Sequence, residues 1–330
     1  MANPMEDAQR REPYIADGKA AVPWERELVE KLVLAQLREQ KAVRRWRIFS
    51  RLLWLSIIGA FLWLMFFSEQ LRPSVKTPHT AVIEIRGEIS AGAEASAENV
   101  LASLRAAYDD EAAKAVVLLI NSPGGSPVQA GIINDEIVRL RGLHPDKRVY
   151  AVVQDLCASA AYYIAASADE IYVDKASLVG SIGVLMDGFG FTGLMEKLGV
   201  ERRLLTAGEH KGMLDPFSPQ DEAERAYIQS MLTEIHTQFI DVVKEGRGDR
   251  LKETPETFSG LVWSGQEAVE IGLADGLGSL DQVARELVKA EEVVDYTQRE
   301  SVGMRLAREL GMSMGRGVYE AATAAGMKIR

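Results

Sequence analysis

Two neighbouring stretches decide how this chain folds: Val149-Tyr-Ala-Val-Val153 and, two residues on, Leu156-Cys-Ala-Ser-Ala-Ala-Tyr-Tyr-Ile-Ala-Ala-Ser-Ala168. The first is a β-branched run of strand length. The second opens a small-residue segment with good helix propensity. A strand that gives way at once to a helix leaves Ser159 at the turn between them, where helix-initial N–H groups point toward developing negative charge. The same residues have a plainer reading, since Ala and Ser are also what a helix needs to pack closely on a sheet.

Two further stretches bear on that choice. Ile120-Asn-Ser-Pro-Gly-Gly-Ser-Pro127 follows the apolar run Val116 to Ile120 and precedes a helical pattern from Val128 to Leu140. Gly124 and Gly125 have no Cβ to restrict them, so their N–H groups can face outward as an oxyanion hole requires. A tight β-to-α turn would use the same residues. Thr206-Ala-Gly-Glu-His-Lys-Gly-Met-Leu-Asp-Pro216 sets Lys211 in a glycine-punctuated loop, where most lysines are solvated surface charges.

Taken in chain order, the P-G-G turn, the A-S-x-x-Y-Y segment and the downstream G-x-H-K loop resemble the Ser/Lys peptidases of the signal peptide peptidase A family. The resemblance runs from about Ala81 to Val294 and includes Val262-Trp-Ser-Gly-Gln-Glu-Ala-Val-Glu-Ile-Gly-Leu-Ala-Asp-Gly-Leu-Gly278. It implies a Clp/crotonase-like α/β spiral of repeated ββα units. It also implies a catalytic dyad of Ser159 and Lys211, with backbone N–H groups of Gly124, Gly125 and Ala160 as the oxyanion hole. The family has glycines after the nucleophile, whereas Ala160 and Ala161 stand here, and alanine tolerates positive φ poorly.

At 330 residues the chain is longer than one compact domain needs, which predicts a catalytic domain with appendages. The formal net charge of −10 argues against nucleic acid as the main partner, because phosphate binding needs a basic face. The single cysteine, Cys157, precludes an intrachain disulfide and reads as a buried small hydrophobe. CxxC, HExxH and P-loop spacings do not occur, so no metal or nucleotide cofactor is expected.

Residues 1–47 read as a cytoplasmic N-terminal segment, with a polar lead followed by a helical stem from Trp24 to Trp46. Ile48 to Ser68 is predicted as a transmembrane helix: Leu52 to Phe67 is apolar apart from Ser56 and Gly59, and Arg51 can snorkel. Arg38, Lys41, Arg44, Arg45, Arg47 and Arg51 crowd its N-terminal side. By the positive-inside rule that side faces the cytoplasm and the rest is exported, across a bacterial inner membrane as the resemblance implies. A cleavable signal peptide fits less well, because its n-region would be far too long.

After a linker, 69–80, strand-like and helix-like runs alternate through 81–296, the expected peptidase domain. Expected strands include Ile182 to Leu185 and Arg202 to Thr206, and Asp221 to Glu245 is expected as a long helix with an apolar stripe from Ile228 to Val242. Residues 297–330 form a Gly-, Met- and Ala-rich tail.

The base inventory narrows the chemistry. His79 falls in the linker, His144 in a surface turn, His210 in the polar loop and His236 inside the long helix, and no G-x-S-x-G elbow is present. Lys211, the base that the resemblance implies, can serve if desolvation lets it lose its proton. The resemblance implies membrane-anchored degradation of apolar peptides such as signal peptides left in the bilayer, by a ring-shaped homo-oligomer. Two rival readings stay open: a crotonase-like acyl-CoA enzyme, and a catalytically silent membrane scaffold.

Overall fold

A computed structural model describes residues 24–67 and 77–299. The expected N-terminal lead, most of the linker and nearly all of the tail lie outside these residues. The chain divides between Leu71 and Arg72 into two units.

Among the described residues the first unit contains one helix, α1 (Trp24–Phe67), so the stem and the apolar segment are continuous. Within it Val43–Trp63 is long and apolar enough to cross a membrane. Trp46 and Phe49 lie ring to ring at 5.8 Å on its surface.

The second unit is a mixed α/β domain built on one eight-stranded sheet. In chain order it contains β1 (His79–Arg86), α2 (Ala97–Asp109), β2 (Ala113–Ser122), α3 (Pro127–Leu143), β3 (Val149–Ala158), α4 (Ala160–Ala165), β4 (Glu170–Val173) and β5 (Leu178–Gly180). There follow α5 (Thr192–Leu198), α6 (Glu222–Arg247), β6 (Val262–Ser264), α7 (Gly265–Glu270), β7 (Gly276–Leu277), α8 (Leu280–Gln282, continued by a π-helical turn to Val288) and β8 (Val293–Asp295). The main path is β6-β5-β3-β2-β1-β8, and every pairing is parallel except β5 with β6.

Period-two alternation sends Ile83, Ile85, Leu118, Ile120, Ala151 and Val153 into the larger core under the helices. Val82, Val117, Leu119, Tyr150 and Val152 face the other side, which Val283 helps to cover. Burial on both faces is why these strands read as near-continuous apolar runs.

β3 is the hub. Its first half pairs with β4, Tyr150 opposite Glu170 through Val153 opposite Val173, and its second half with β5, Leu156 opposite Leu178 through Ala158 opposite Gly180. Where the partner changes, Gln154 and Asp155 face solvent. Because the strands are parallel, the carboxyl ends of β2 and β3 lie side by side, and the loops that follow them meet at one edge of the sheet.

α4 is fixed from behind by α6. A Cβ on Gly246 would lie 1.9 Å from the carbonyl oxygen of Ala166, so only glycine permits this approach. Phe239 lies 5.1 Å from the Tyr163 ring. Buried Arg247 donates to both carboxylate oxygens of Asp275, at 2.8 and 3.0 Å, and to Gly272 O.

The expected strands Ile182 to Leu185 and Arg202 to Thr206 do not form; both stretches are irregular. A strand needs a neighbour to satisfy its backbone. In this segment Leu185, Phe189 and Leu205 are 81%, 81% and 96% exposed, so the chain supplies none. His79 belongs to β1 rather than to a linker and is fully buried.

Candidate active site

Ser159 caps α4 with φ 55 and ψ −124, a backbone conformation that side chains rarely adopt. Its N–H donates to Gly180 O at 2.9 Å, and its carbonyl accepts from Tyr163 N at 3.0 Å. The side chain makes no capping bond and stays half-buried. Strain of this kind costs about 1–3 kcal/mol and persists only where the surroundings enforce it. Here β5 and the start of α4 hold the backbone on both sides of the serine.

That geometry settles the question raised by Ala160 and Ala161. The positive φ sits on the serine itself, and neither alanine is among the residues with positive φ. Both alanines are buried in the core, so glycine is not needed after Ser159.

The Pro-Gly-Gly turn lies against this elbow. Gly124 has φ 101, and a Cβ there would meet Ala158 O at 2.7 Å, Ser159 Cβ at 2.8 Å and Ala160 N at 2.9 Å. Gly125 has φ 149, and its Cβ would meet Ile89 O at 2.2 Å. The Gly124 N–H already donates to Ser122 Oγ at 3.1 Å. Ile89 N donates to Gly124 O and Ser126 N donates to Ile89 O, an arrangement that turns the Gly125 N–H away from Ile89. Among the described residues the N–H groups of Gly125 and Ala160 have no acceptor, as an oxyanion hole requires of its donors.

Lys211 is not brought to Ser159. It lies in a series of turns, its own N–H donating to Gly208 O at 3.2 Å, and its side chain is exposed. No bond joins its Nζ to Ser159 Oγ. His210 is also exposed, 3.8 Å from Glu224. His144 closes α3 with its ring beside Tyr108, and His236 Nε2 lies 3.1 Å from Ile182 O. None of these imidazoles bonds to Ser159. Cys157 is fully buried and burial pushes its thiol up, which leaves it protonated and inert.

Ser181 escapes a reading of the sequence alone. It follows Gly180, the acceptor of the Ser159 N–H, has φ 51, and donates its own N–H to Leu261 O at 2.7 Å. Two serines with positive φ thus flank one glycine carbonyl. The adjoining glycine in Val179-Gly-Ser-Ile-Gly183 is the trace a sequence offers of this strain.

A strained serine between strand and helix, with a glycine turn pressed against it and two N–H groups beside it that lack acceptors among the described residues, is the arrangement that a serine nucleophile requires. Comparison with known proteins gives the class. Residues 142–294 match the model of peptidase family S49. A putative protease of Methanocaldococcus jannaschii is 35% identical over 217 residues, 64% of this chain and 69% of its own length. A putative signal peptide peptidase SppA of Enterococcus faecium is 33% identical over 200 residues, 61% of this chain and 58% of its own. A protein named Na(+)/H(+) antiporter NhaA from Brucella melitensis is 40% identical over 241 residues, 71% of this chain, but the chain spans only 32% of it. The chain belongs to peptidase family S49, the family of signal peptide peptidase A.

Proposed function

We propose that this chain is a membrane-anchored serine endopeptidase working through Ser159 and Lys211. The observation that carries the reading is the strained elbow at Ser159, with Gly124 packed on its Cβ and the N–H groups of Gly125 and Ala160 free. Ser159 Oγ attacks the scissile carbonyl as the neutral Lys211 amine takes its proton. The oxyanion of the tetrahedral intermediate accepts from Gly125 and Ala160. On collapse Lys211 gives that proton to the leaving amine; the again neutral Lys211 then deprotonates a water that attacks the acyl carbonyl, and it returns the proton to Ser159 Oγ as the carboxylic acid departs.

An exposed ammonium is a poor base, so Lys211 must be desolvated to act. In this reading a second copy supplies the missing contact: head-to-tail packing sets the Lys211 loop of one protomer beside the Ser159 of the next and closes a ring. The exposed apolar residues Leu185, Phe189, Leu198, Leu205 and Leu214 between β5 and α6 support such a contact, since large exposed apolar patches mark interaction sites.

The finer architecture in this proposal is the Clp/crotonase spiral, with the peptidase domain over 81–296. The apolar part of α1, with the arginines gathered at its N-terminal side, serves as an inner-membrane anchor with the N-terminus cytoplasmic and the peptidase domain outside. Hydrophobic peptides, signal peptides left in the membrane among them, are the substrates such a tether favours. Reaction of the full chain with a serine-reactive fluorophosphonate tests the centre of the proposal: a single adduct at Ser159 is expected. An unlabelled, folded and assembled protein would instead support the silent scaffold.

A further inference from the structure

A second polar cluster, built around one buried histidine, lies at the opposite edge of the sheet. Ser159 follows the carboxyl end of β3, whereas His79 opens β1, whose strand runs in the same direction. His79 is fully buried. Its Nδ1 lies 2.9 Å from Thr77 O and its Nε2 3.0 Å from Tyr296 Oη. Tyr296 Oη lies 2.6 Å from Asp110 Oδ2. The imidazole and phenol rings are stacked, with centroids 5.9 Å apart and planes 13° apart.

Counting protons along this line decides its charge. It runs from the Thr77 carbonyl through imidazole and phenol to a carboxylate, and so contains three gaps. Both ends can only accept. Three hydrogen bonds therefore need three protons, all from His79 and Tyr296. A neutral imidazole and a phenol hold two between them, which leaves one pair of lone pairs facing each other at hydrogen-bond distance. An imidazolium and a phenol hold three. Asp110 does not supply the difference, because the Tyr296 hydroxyl and the Ala112 N–H on its other oxygen at 2.8 Å hold its carboxyl below the usual carboxylate range.

The surroundings suit a buried cation. From the turn between α2 and β2, Asp110 faces the cluster, flanked by Asp109 and Glu111. From the segment leading into β8, Glu292 accepts from the Thr77 hydroxyl. The opposing positive charge, Lys147, comes from the turn before β3 and is engaged by the carbonyls of Ala107, Tyr108 and Asp110 at 3.2, 2.9 and 2.8 Å. Lys114 lies beyond it. A buried charge is tolerated when it is hydrogen-bonded on every side, and only the doubly protonated ring meets that condition here.

We infer that His79 is a buried imidazolium and that its second proton is a clasp joining the segment that enters the domain, the segment that leaves it and the α2–β2 turn. Thr77 stands ten residues beyond the last residue of α1, and Tyr296 directly follows β8. β8 is held at the sheet edge by Thr80 N to Glu292 O and Tyr296 N to Val82 O, both 2.8 Å. With the proton present, entry and exit are tied to each other through His79 and Tyr296. Once it leaves, one of the three bonds fails, and the exit segment is held by its short backbone ladder, by the Thr77 hydroxyl on Glu292 and by the bonds Glu84 N to Thr297 Oγ1 and Gln298 N to Ser103 Oγ.

The test uses the full chain with ¹⁵N-labelled histidine, and no activity is read, so it stands apart from the peptidase proposal. Two results are expected. At about pH 5 the His79 ring carries protons on both nitrogens. Between about pH 5 and 8, hydrogen exchange over Val293 to Gln298, corrected for intrinsic rate, speeds up roughly tenfold or more in wild type. In Tyr296→Phe it is fast and pH-independent over that range. A singly protonated His79 ring at the acid end, or the same pH dependence in wild type and Tyr296→Phe, would overturn the inference. The ring measurement needs no variant and survives any folding defect in Tyr296→Phe.

Discussion

Gly124 lies so close to Ser159 that a methyl group on its Cα would come within 2.8 Å of the serine Cβ. The obstacles at this position are backbone atoms and a Cβ, which cannot swing aside, and its φ of 101 is itself unfavourable to any side chain. Gly124→Ala is therefore expected to push the turn off the elbow, lowering turnover at least tenfold and destabilising the fold by about 1–3 kcal/mol. Peptide hydrolysis and thermal melting measured on the same preparation check both. Unchanged turnover would remove the Pro-Gly-Gly turn from the site.

Ser159→Ala and Lys211→Ala are each expected to abolish hydrolysis, while His210→Ala and Cys157→Ser keep most of it. Ser159→Gly makes a sharper case, because it removes the nucleophile and the backbone strain together. We expect it to be inactive yet more stable than Ser159→Ala by about 1 kcal/mol, visible as a higher melting temperature. An equal melting temperature for the two variants would mean that the elbow stores no strain.

If neighbouring protomers share each site, co-expressed Ser159→Ala and Lys211→Ala chains should restore activity that neither has alone. With equal expression and random mixing in a closed ring, roughly a quarter of sites join an intact serine to an intact lysine. Background turnover in a co-purified mixed assembly would place both residues of a site on one chain.

Glu136 joins α3 to α2. Its carboxylate accepts from Arg139 at 2.7 and 2.9 Å and from Arg105 at 2.9 Å, and these guanidinium groups, Arg139 foremost, lower its pKa from 4.5 to about 2. A carboxyl depressed in the folded state stabilises the fold fully above its unfolded value. That contribution is lost as pH falls from about 4.5 toward about 2. Glu136→Gln should accordingly destabilise at neutral pH and lose less stability than wild type on acidification. Urea midpoints at about pH 6 and pH 3 measure the difference.

A topology experiment follows from the arginines ahead of the apolar part of α1. Protease added to intact spheroplasts should digest the chain from Ala81 onward. Digestion only after lysis would reverse the proposed orientation.

How far the fold can be read from the sequence depends on where each element finds its partners. β1, β2 and β3 are legible because burial on two faces writes long apolar runs such as Val116 to Ile120. Ile182 to Leu185 looks much the same, yet it is irregular, because a strand depends on a neighbour that local composition does not encode. Ser159 is legible from its place between a strand run and an Ala-rich helix. Its positive φ is not, since sequence rules assign that conformation to glycine and here the packing of Gly124 and the bond to Gly180 impose it. The role of Gly124 is likewise divided: its φ was foreseeable, but the bond that commits its N–H to Ser122 was not.

The burial of Cys157 makes the protein its own reporter. The only thiol in the chain is sealed two residues before Ser159, at the end of the strand that carries it. Thiol reagents have no target until the end of β3 opens, so the rate at which a disulfide reagent modifies wild-type protein measures how often the elbow comes apart. A fluorophore placed on any introduced surface cysteine would, for the same reason, mark a single position without first removing the native one.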